Sequence, residues 1–180
     1  MTDTMDDHAW RRAVRAAGAD PAMIAEVRRL YRLADAEIAS HRPACRACGA
    51  CCDFQRSGHR LYVTTAEVCV VLSAVDPRRP VTGRCPYQLD GLCTIRDARP
   101  LGCRVFHCPP TPDDWQGRLY ERWLGRIKRV EARFGLPYRY GEWLATLGRL
   151  AELPANWPAG EVRGGSNACE SGVDSVGGGQ

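Results

Sequence analysis

The stretch Cys45-Arg46-Ala47-Cys48-Gly49-Ala50-Cys51-Cys52 places four thiols within eight residues. An ordinary core has no use for sulfur at that density. Cys45, Cys48 and Cys51 follow a C-x2-C-x2-C spacing, in which a tight turn aims successive sulfurs at one point, as in the loops that hold iron–sulfur clusters or zinc. Cys52 abuts the third thiol. Neighbouring side chains diverge, so Cys51 and Cys52 are poorly placed to bind one ion together. One of them is expected to serve a second metal, a cluster edge or a supporting role, within a constellation larger than a single four-thiol site.

What ten cysteines mean depends on the compartment. Residues 1–12 are acidic and then basic, with no apolar stretch and no small-residue cleavage site, so nothing marks them for secretion and a cytoplasmic location is expected. No apolar run approaches the roughly 18 residues a membrane span needs, so no membrane association is expected. Cytosolic thiols stay reduced, and clustered ones there are usually metal ligands or catalytic groups rather than disulfide partners. A disulfide scaffold fits badly, because 180 residues with long helical patterns can bury a core without staples.

The flanking sequence predicts a mostly α fold, a small helical domain of about five helices around a cysteine-rich metal-binding loop and a β-hairpin. Residues 1–43 read as a helical hairpin. Trp10, Val14 and Ala17 share one face of the first helix, which closes at Gly18 in a left-handed cap. Asp20 caps a second helix with Pro21 at its first position and an apolar face of Ile24, Val27, Leu30, Tyr31, Ala34 and Ile38, ending before Pro43. The pair is expected to cover the cysteine loop. A helix-turn-helix reader of DNA is disfavoured, because the second helix carries no cluster of base-reading side chains.

Residues 44–110 form the cysteine-cluster unit. Leu61-Tyr62-Val63 is a short strand, and Thr64-x-x-Glu67 is a capping box that opens an apolar helix through Val68, Val71, Leu72 and Val75. Cys69 lies inside that helix and reads as core. Cys85 to Ile95 reads as a hairpin turning at Asp90-Gly91. Pro100 starts a helical turn that separates Cys103 from Cys108 by just over one turn. The eight thiols expected to bind metal are Cys45, Cys48, Cys51, Cys52, Cys85, Cys93, Cys103 and Cys108. Arg99 and Arg104 are expected beside them, offsetting thiolate charge and tuning a cofactor's potential. His107 is a weaker ligand candidate and His59 weaker still.

The order C-x2-C-x2-C-C, Cys85-Pro86 with Leu89, Cys93-x-Ile95, then Arg99-Pro100-x-x-Cys103-Arg104-x-Phe106-x-Cys108 resembles the CxxCxxCC cysteine-cluster family, the YkgJ-type zinc- or iron-chelating proteins, which include the cysteine domain of flagellin lysine methylases. The resemblance covers Cys45 to Cys108. It implies a metal or iron–sulfur centre and, more remotely, lysine N-methylation. Arg96 stands where the family often has tyrosine, and His107 where it often has proline; the thiols are intact, so metal binding carries over, whereas an activity needing that tyrosine does not.

Four thiolates suit zinc and iron–sulfur centres alike. An iron–sulfur cluster is the preferred cofactor, from the ferredoxin-like triple and the extra adjacent cysteine; Zn2+ or Fe2+ is the alternative. The chemistry implied is redox or protein-modifying. No Walker loop, Rossmann glycine fingerprint, G-x-S-x-G elbow or H-E-x-x-H helix is found, so whether the chain is an enzyme turns on the metal.

Residues 111–158 read as C-terminal helices on the same domain, and 159–180 as a disordered Gly- and Ser-rich tail holding Cys169. The helix from Trp115 to Phe134 buries Leu119, Trp123, Ile127, Val130 and Phe134. Arg118, Arg122, Arg126, Arg129 and Arg133 form a row beside them. Residues 118–139 hold seven basic and two acidic side chains, an excess that exceeds the +4 of the whole chain. An acidic protein partner is expected at this Arg118–Arg133 face. Nucleic acid is the lesser reading, for which five phosphate contacts would give a log–log salt slope of about −4.5. A zinc-stapled interaction module using this helix is the alternative function. A last helix, Glu142 to Leu153, buries Trp143, Leu144, Leu147 and Leu150.

Overall fold

The computed structural model describes residues 6–45, 48–76, 79–108 and 114–151. Trp157, Cys169 and the predicted tail lie outside the described residues. The fold is mostly helical, as expected. In chain order it comprises α1 (Asp7–Gly18), α2 (Pro21–Ser40), α3 (Phe54–Ser57), β1 (Tyr62–Thr64), α4 (Thr65–Leu72), β2 (Gln88–Leu89), β3 (Leu92–Cys93), α5 (Leu101–Val105), α6 (Trp115–Arg133), β4 (Tyr140–Glu142) and α7 (Trp143–Ala151).

Helix α2 starts where Asp20 accepts from the backbone N–H groups of Ala22 and Met23. Its predicted face, Ile24 to Ile38, is buried. Helix α1 does not close at a left-handed glycine: Gly18 is helical and Ala19 caps it in right-handed geometry. Nor does the hairpin chiefly cover the cysteine loop. Both α1 and α2 pack on α4, and α2 also packs on α6. The reason lies in α4 itself, whose eight residues are all buried and must be covered on every side. Cys69 is fully buried there, its thiol 3.6 Å from the Val14 carbonyl, a core residue as read from sequence.

Two buried carboxylates join the layers. The capping box is present, with Thr64 accepting from the Glu67 N–H and Glu67 from the Thr64 N–H. Glu67 also accepts from the Leu101 N–H at 2.7 Å, which ties the start of α4 to the start of α5. Glu131 on α6 accepts from the Ala66 N–H at 2.8 Å. Burial pushes its carboxyl from an ordinary 4.5 up to about 7, partly opposed by that hydrogen bond. A folded carboxyl that keeps its proton to higher pH than the unfolded one adds stability below pH 4.5, and that stability is lost as pH rises to about 7. The shift corresponds to about 3 kcal/mol. Glu131→Gln keeps the acceptor and removes the charge; urea unfolding at pH 5 and pH 8 is expected to show a flattened pH dependence and a variant more stable than wild type at pH 8.

Strand β1 pairs antiparallel with β4, Val63 opposite Gly141. The Trp143 N–H then donates to the Leu61 carbonyl at 2.8 Å, which fixes the start of α7 against the cysteine unit. The short hairpin pairs Gln88 with Cys93 and Leu89 with Leu92, and Asp90 and Gly91 both take positive φ, as the Asp-Gly turn predicts. Among the described residues no helix is long and apolar enough to cross a membrane.

Candidate metal centre

Backbone bonds fasten the cysteine loop to the hairpin before any sulfur is considered. Gly49 stands at φ +68°, where a Cβ would come within 2.9 Å of the Gly91 carbonyl oxygen, so glycine is required by both conformation and space. The Gln88 amide donates to the Gly49 carbonyl at 3.3 Å, and the Cys85 N–H donates to the Cys52 carbonyl at 2.8 Å. Asp53 and Arg84 form a bridge through their backbones and an ion pair through their side chains at 2.7 Å.

Five thiols from separate parts of the chain line one pocket of about 50 Å3. Cys51 and Cys52 come from a 3-10 turn at Ala50–Cys52, Cys85 from the approach to β2, Cys93 from β3 and Cys103 from α5. Arg99, Phe54, His59, Phe106 and Trp143 complete the wall. The nine described cysteines are all free thiols. Cys45, Cys48 and Cys108 are exposed and do not line the pocket. Helix α5 ends at Val105, so Cys108 leaves the helical path that was expected to carry it alongside Cys103. Among the described residues, no three His, Cys, Asp or Glu side chains are grouped as a metal ion would require.

The five thiols differ in their electrostatics. Cys51 is held well below the usual thiol range, first by the hydrogen bond from Cys52, then by backbone hydrogen bonding and the Arg99 charge, against the effect of burial. The Cys52 thiol is raised by giving that bond and by burial. The two shifts run in opposite directions through the one contact between the vicinal thiols. Burial raises the Cys85 thiol, opposed by hydrogen bonds from Trp143 and the Tyr87 backbone. Burial also raises Cys103, and the neighbouring sulfurs of Cys85 and Cys93 act in the same direction. Taking several such sulfurs to thiolate together requires compensating positive charge.

Arg99 supplies part of that charge. Arg104 does not line the pocket: its guanidinium reaches Asp35 at 2.5 Å, donates to the carbonyls of Asp97 and Arg99, and lies over the Tyr31 ring at 4.3 Å. It is buried and clamps the 97–99 turn to α2, so it positions Arg99 and α5 and does not face the sulfurs. His107 is also engaged elsewhere, exchanging backbone bonds of 3.0 Å with the Gln116 side chain. His59, the weaker candidate by sequence, instead lines the cysteine pocket with its ring 4.3 Å from Phe106, and burial lowers its pKa. The spacing of a lone histidine in a polar loop carries no sign of that placement. Trp143 arrives through the β1–β4 pairing, which joins segments almost eighty residues apart.

The arginine row of α6 is partly engaged within the chain. Arg122 pairs with Glu37, Arg126 stacks 4.1 Å from the Trp123 ring, and Arg133 lies 3.7 Å from Glu26. Arg29, Arg126, Arg129 and Arg133 line an open groove of about 380 Å3 between α2 and α6, floored by Leu30, Leu33 and Val130 with Glu26 as its one carboxylate.

No protein-family model, no curated protein and no solved structure matches this chain.

Proposed function

We propose that this chain is a metal-binding protein whose clustered cysteines hold an iron–sulfur cluster, or iron or zinc ions, in a redox or protein-modifying role. The observation that supports this best is the gathering of Cys51, Cys52, Cys85, Cys93 and Cys103 around one small pocket from four separate segments. The donor chemistry suits the group, though the side chains are not drawn together as a bound ion would hold them: soft sulfurs around the pocket outnumber the four that a tetrahedral or cluster site takes, they are free thiols, and Arg99 stands beside them. When bound, the metal would supply the positive charge that buried thiolates otherwise lack, together with electron transfer or Lewis acidity. The chain's own residues would orient the Cys85 sulfur through Trp143 and the Tyr87 N–H and exclude water with Phe54 and Phe106. The resemblance to the CxxCxxCC family agrees with this reading, and free thiols suit a reducing, cytoplasmic setting.

Elemental analysis of single Cys→Ser variants tests the assignment. Metal content is expected to fall in Cys51→Ser, Cys85→Ser, Cys93→Ser and Cys103→Ser and to persist in Cys69→Ala. Equal content in all five would exclude the pocket as the centre.

The second reading, a zinc-stapled interaction module, is favoured by the α2–α6 groove. Four guanidiniums against one carboxylate over an apolar floor suit an acidic protein segment that also carries a large apolar side chain.

A further inference from the structure

A second pocket, of about 280 Å3, lies on the other side of the Phe106–His59 wall from the thiols; both residues line both cavities. Three tyrosines line it further, beside Leu61, Val105 and Gln116. Tyr62 and Tyr140 stack with ring centroids 5.4 Å apart, and Tyr120 joins Tyr140 through a hydroxyl–hydroxyl hydrogen bond of 2.9 Å. One hydroxyl of that pair must donate to the other, which leaves one phenolic proton free for a ligand's acceptor. The volume suits a single ring rather than a larger cofactor.

Charge decides what kind of ring. No carboxylate lines the pocket, whereas Arg60 does. Lys128 places its ammonium 5.2 Å from the Tyr138 ring and 5.9 Å from the Tyr140 ring, so the outer face that could have received a ligand cation already holds one. Aromatic walls, a spare phenolic donor and Arg60 on the lining together favour a flat anion, while outside the lining Lys128 is offset by Glu121.

We propose that this pocket binds a single aromatic ring bearing one anionic group, the ring against the Phe106–His59 wall and among Tyr62, Tyr120 and Tyr140, the anion drawn to Arg60. The inference is independent of the metal reading, since it concerns occupancy of the second pocket alone. If the thiols also hold a metal, such a ligand would sit one side-chain layer away from it.

Isothermal titration calorimetry of the full chain as purified, with benzoate and with benzylamine, tests both ring and charge. Saturable one-site binding of benzoate is expected, with benzylamine showing none over the same concentrations. Arg60 is exposed, so Arg60→Glu should fold normally, and it is expected to weaken benzoate binding by about tenfold or more. Tyr140→Ala, checked for an unchanged melting profile, is expected to abolish it. Absence of saturable benzoate binding, benzylamine binding as tight as benzoate, or benzoate binding untouched by Arg60→Glu would each overturn the proposal. The contrast between the two probes on the wild-type chain needs no variant to fold.

Discussion

Cys103→Ser is expected to lower metal affinity by more than the 10- to 100-fold typical of losing a supporting residue around a metal site. Cys103 comes from α5, the last of the four thiol-bearing segments in chain order, and its sulfur interacts with those of Cys51, Cys85 and Cys93. A serine hydroxyl is a hard, weakly acidic donor that replaces a soft thiolate poorly. If the centre is structural zinc, apparent binding contributes about 10 to 16 kcal/mol to folding, and a variant that no longer retains metal would lose most of that. Chelator challenge followed by circular dichroism reads both effects at once. Wild type is expected to keep its fold under chelator concentrations that unfold the variant. A variant that resists chelator as well as wild type does would show that Cys103 holds nothing.

Glu67→Ala is expected to destabilise the protein by about 4 kcal/mol and to loosen the metal as a consequence. The Glu67 carboxylate is fully buried and accepts from two backbone donors, Thr64 at 2.9 Å and Leu101 at 2.7 Å. Truncation leaves both donors without their acceptor in a dry interior, at about 1 to 3 kcal/mol each. Burial raises the Glu67 pKa against the pull of those same bonds. Leu101 opens the helix that carries Cys103, so the loss passes directly to a sulfur of the candidate centre. Thermal unfolding should drop by roughly 10 °C. Glu67→Gln, which retains one carbonyl acceptor, should fall between the two. Equal melting of Glu67→Ala and wild type would show that the α4–α5 tie carries no weight.

Local chemistry made much of this fold legible. Asp20 before Pro21, the Thr64–Glu67 capping box and the Asp90-Gly91 turn each depend on residues within one or two turns of one another, and each forms as read; the stripe of α6 forms from Leu119 to Val130, while Phe134 caps the helix half-buried. The partnership of Glu67 with Leu101 and of β1 with β4 depends on distant segments that no local pattern marks. The cysteine spacing behaves likewise. It drew attention to Cys45–Cys52 as a unit, yet the thiols that line the pocket come from Cys51–Cys52 and from three later segments, while Cys45 and Cys48 stay exposed. Arg99 and Arg104 look equivalent in sequence. Only the position of Asp35 and Tyr31 on α2 separates them, drawing one guanidinium into a clamp and leaving the other at the sulfurs.

Protein purified without oxygen, examined by ultraviolet–visible spectroscopy and elemental analysis for iron, sulfide and zinc, tests the central claim most directly. The account predicts a coloured protein with a broad visible charge-transfer band and about four irons with matching sulfide per chain. Zinc in a colourless protein would retain the thiolate centre and transfer its role to the stapled module. A folded, monodisperse chain containing neither iron nor zinc would contradict the account.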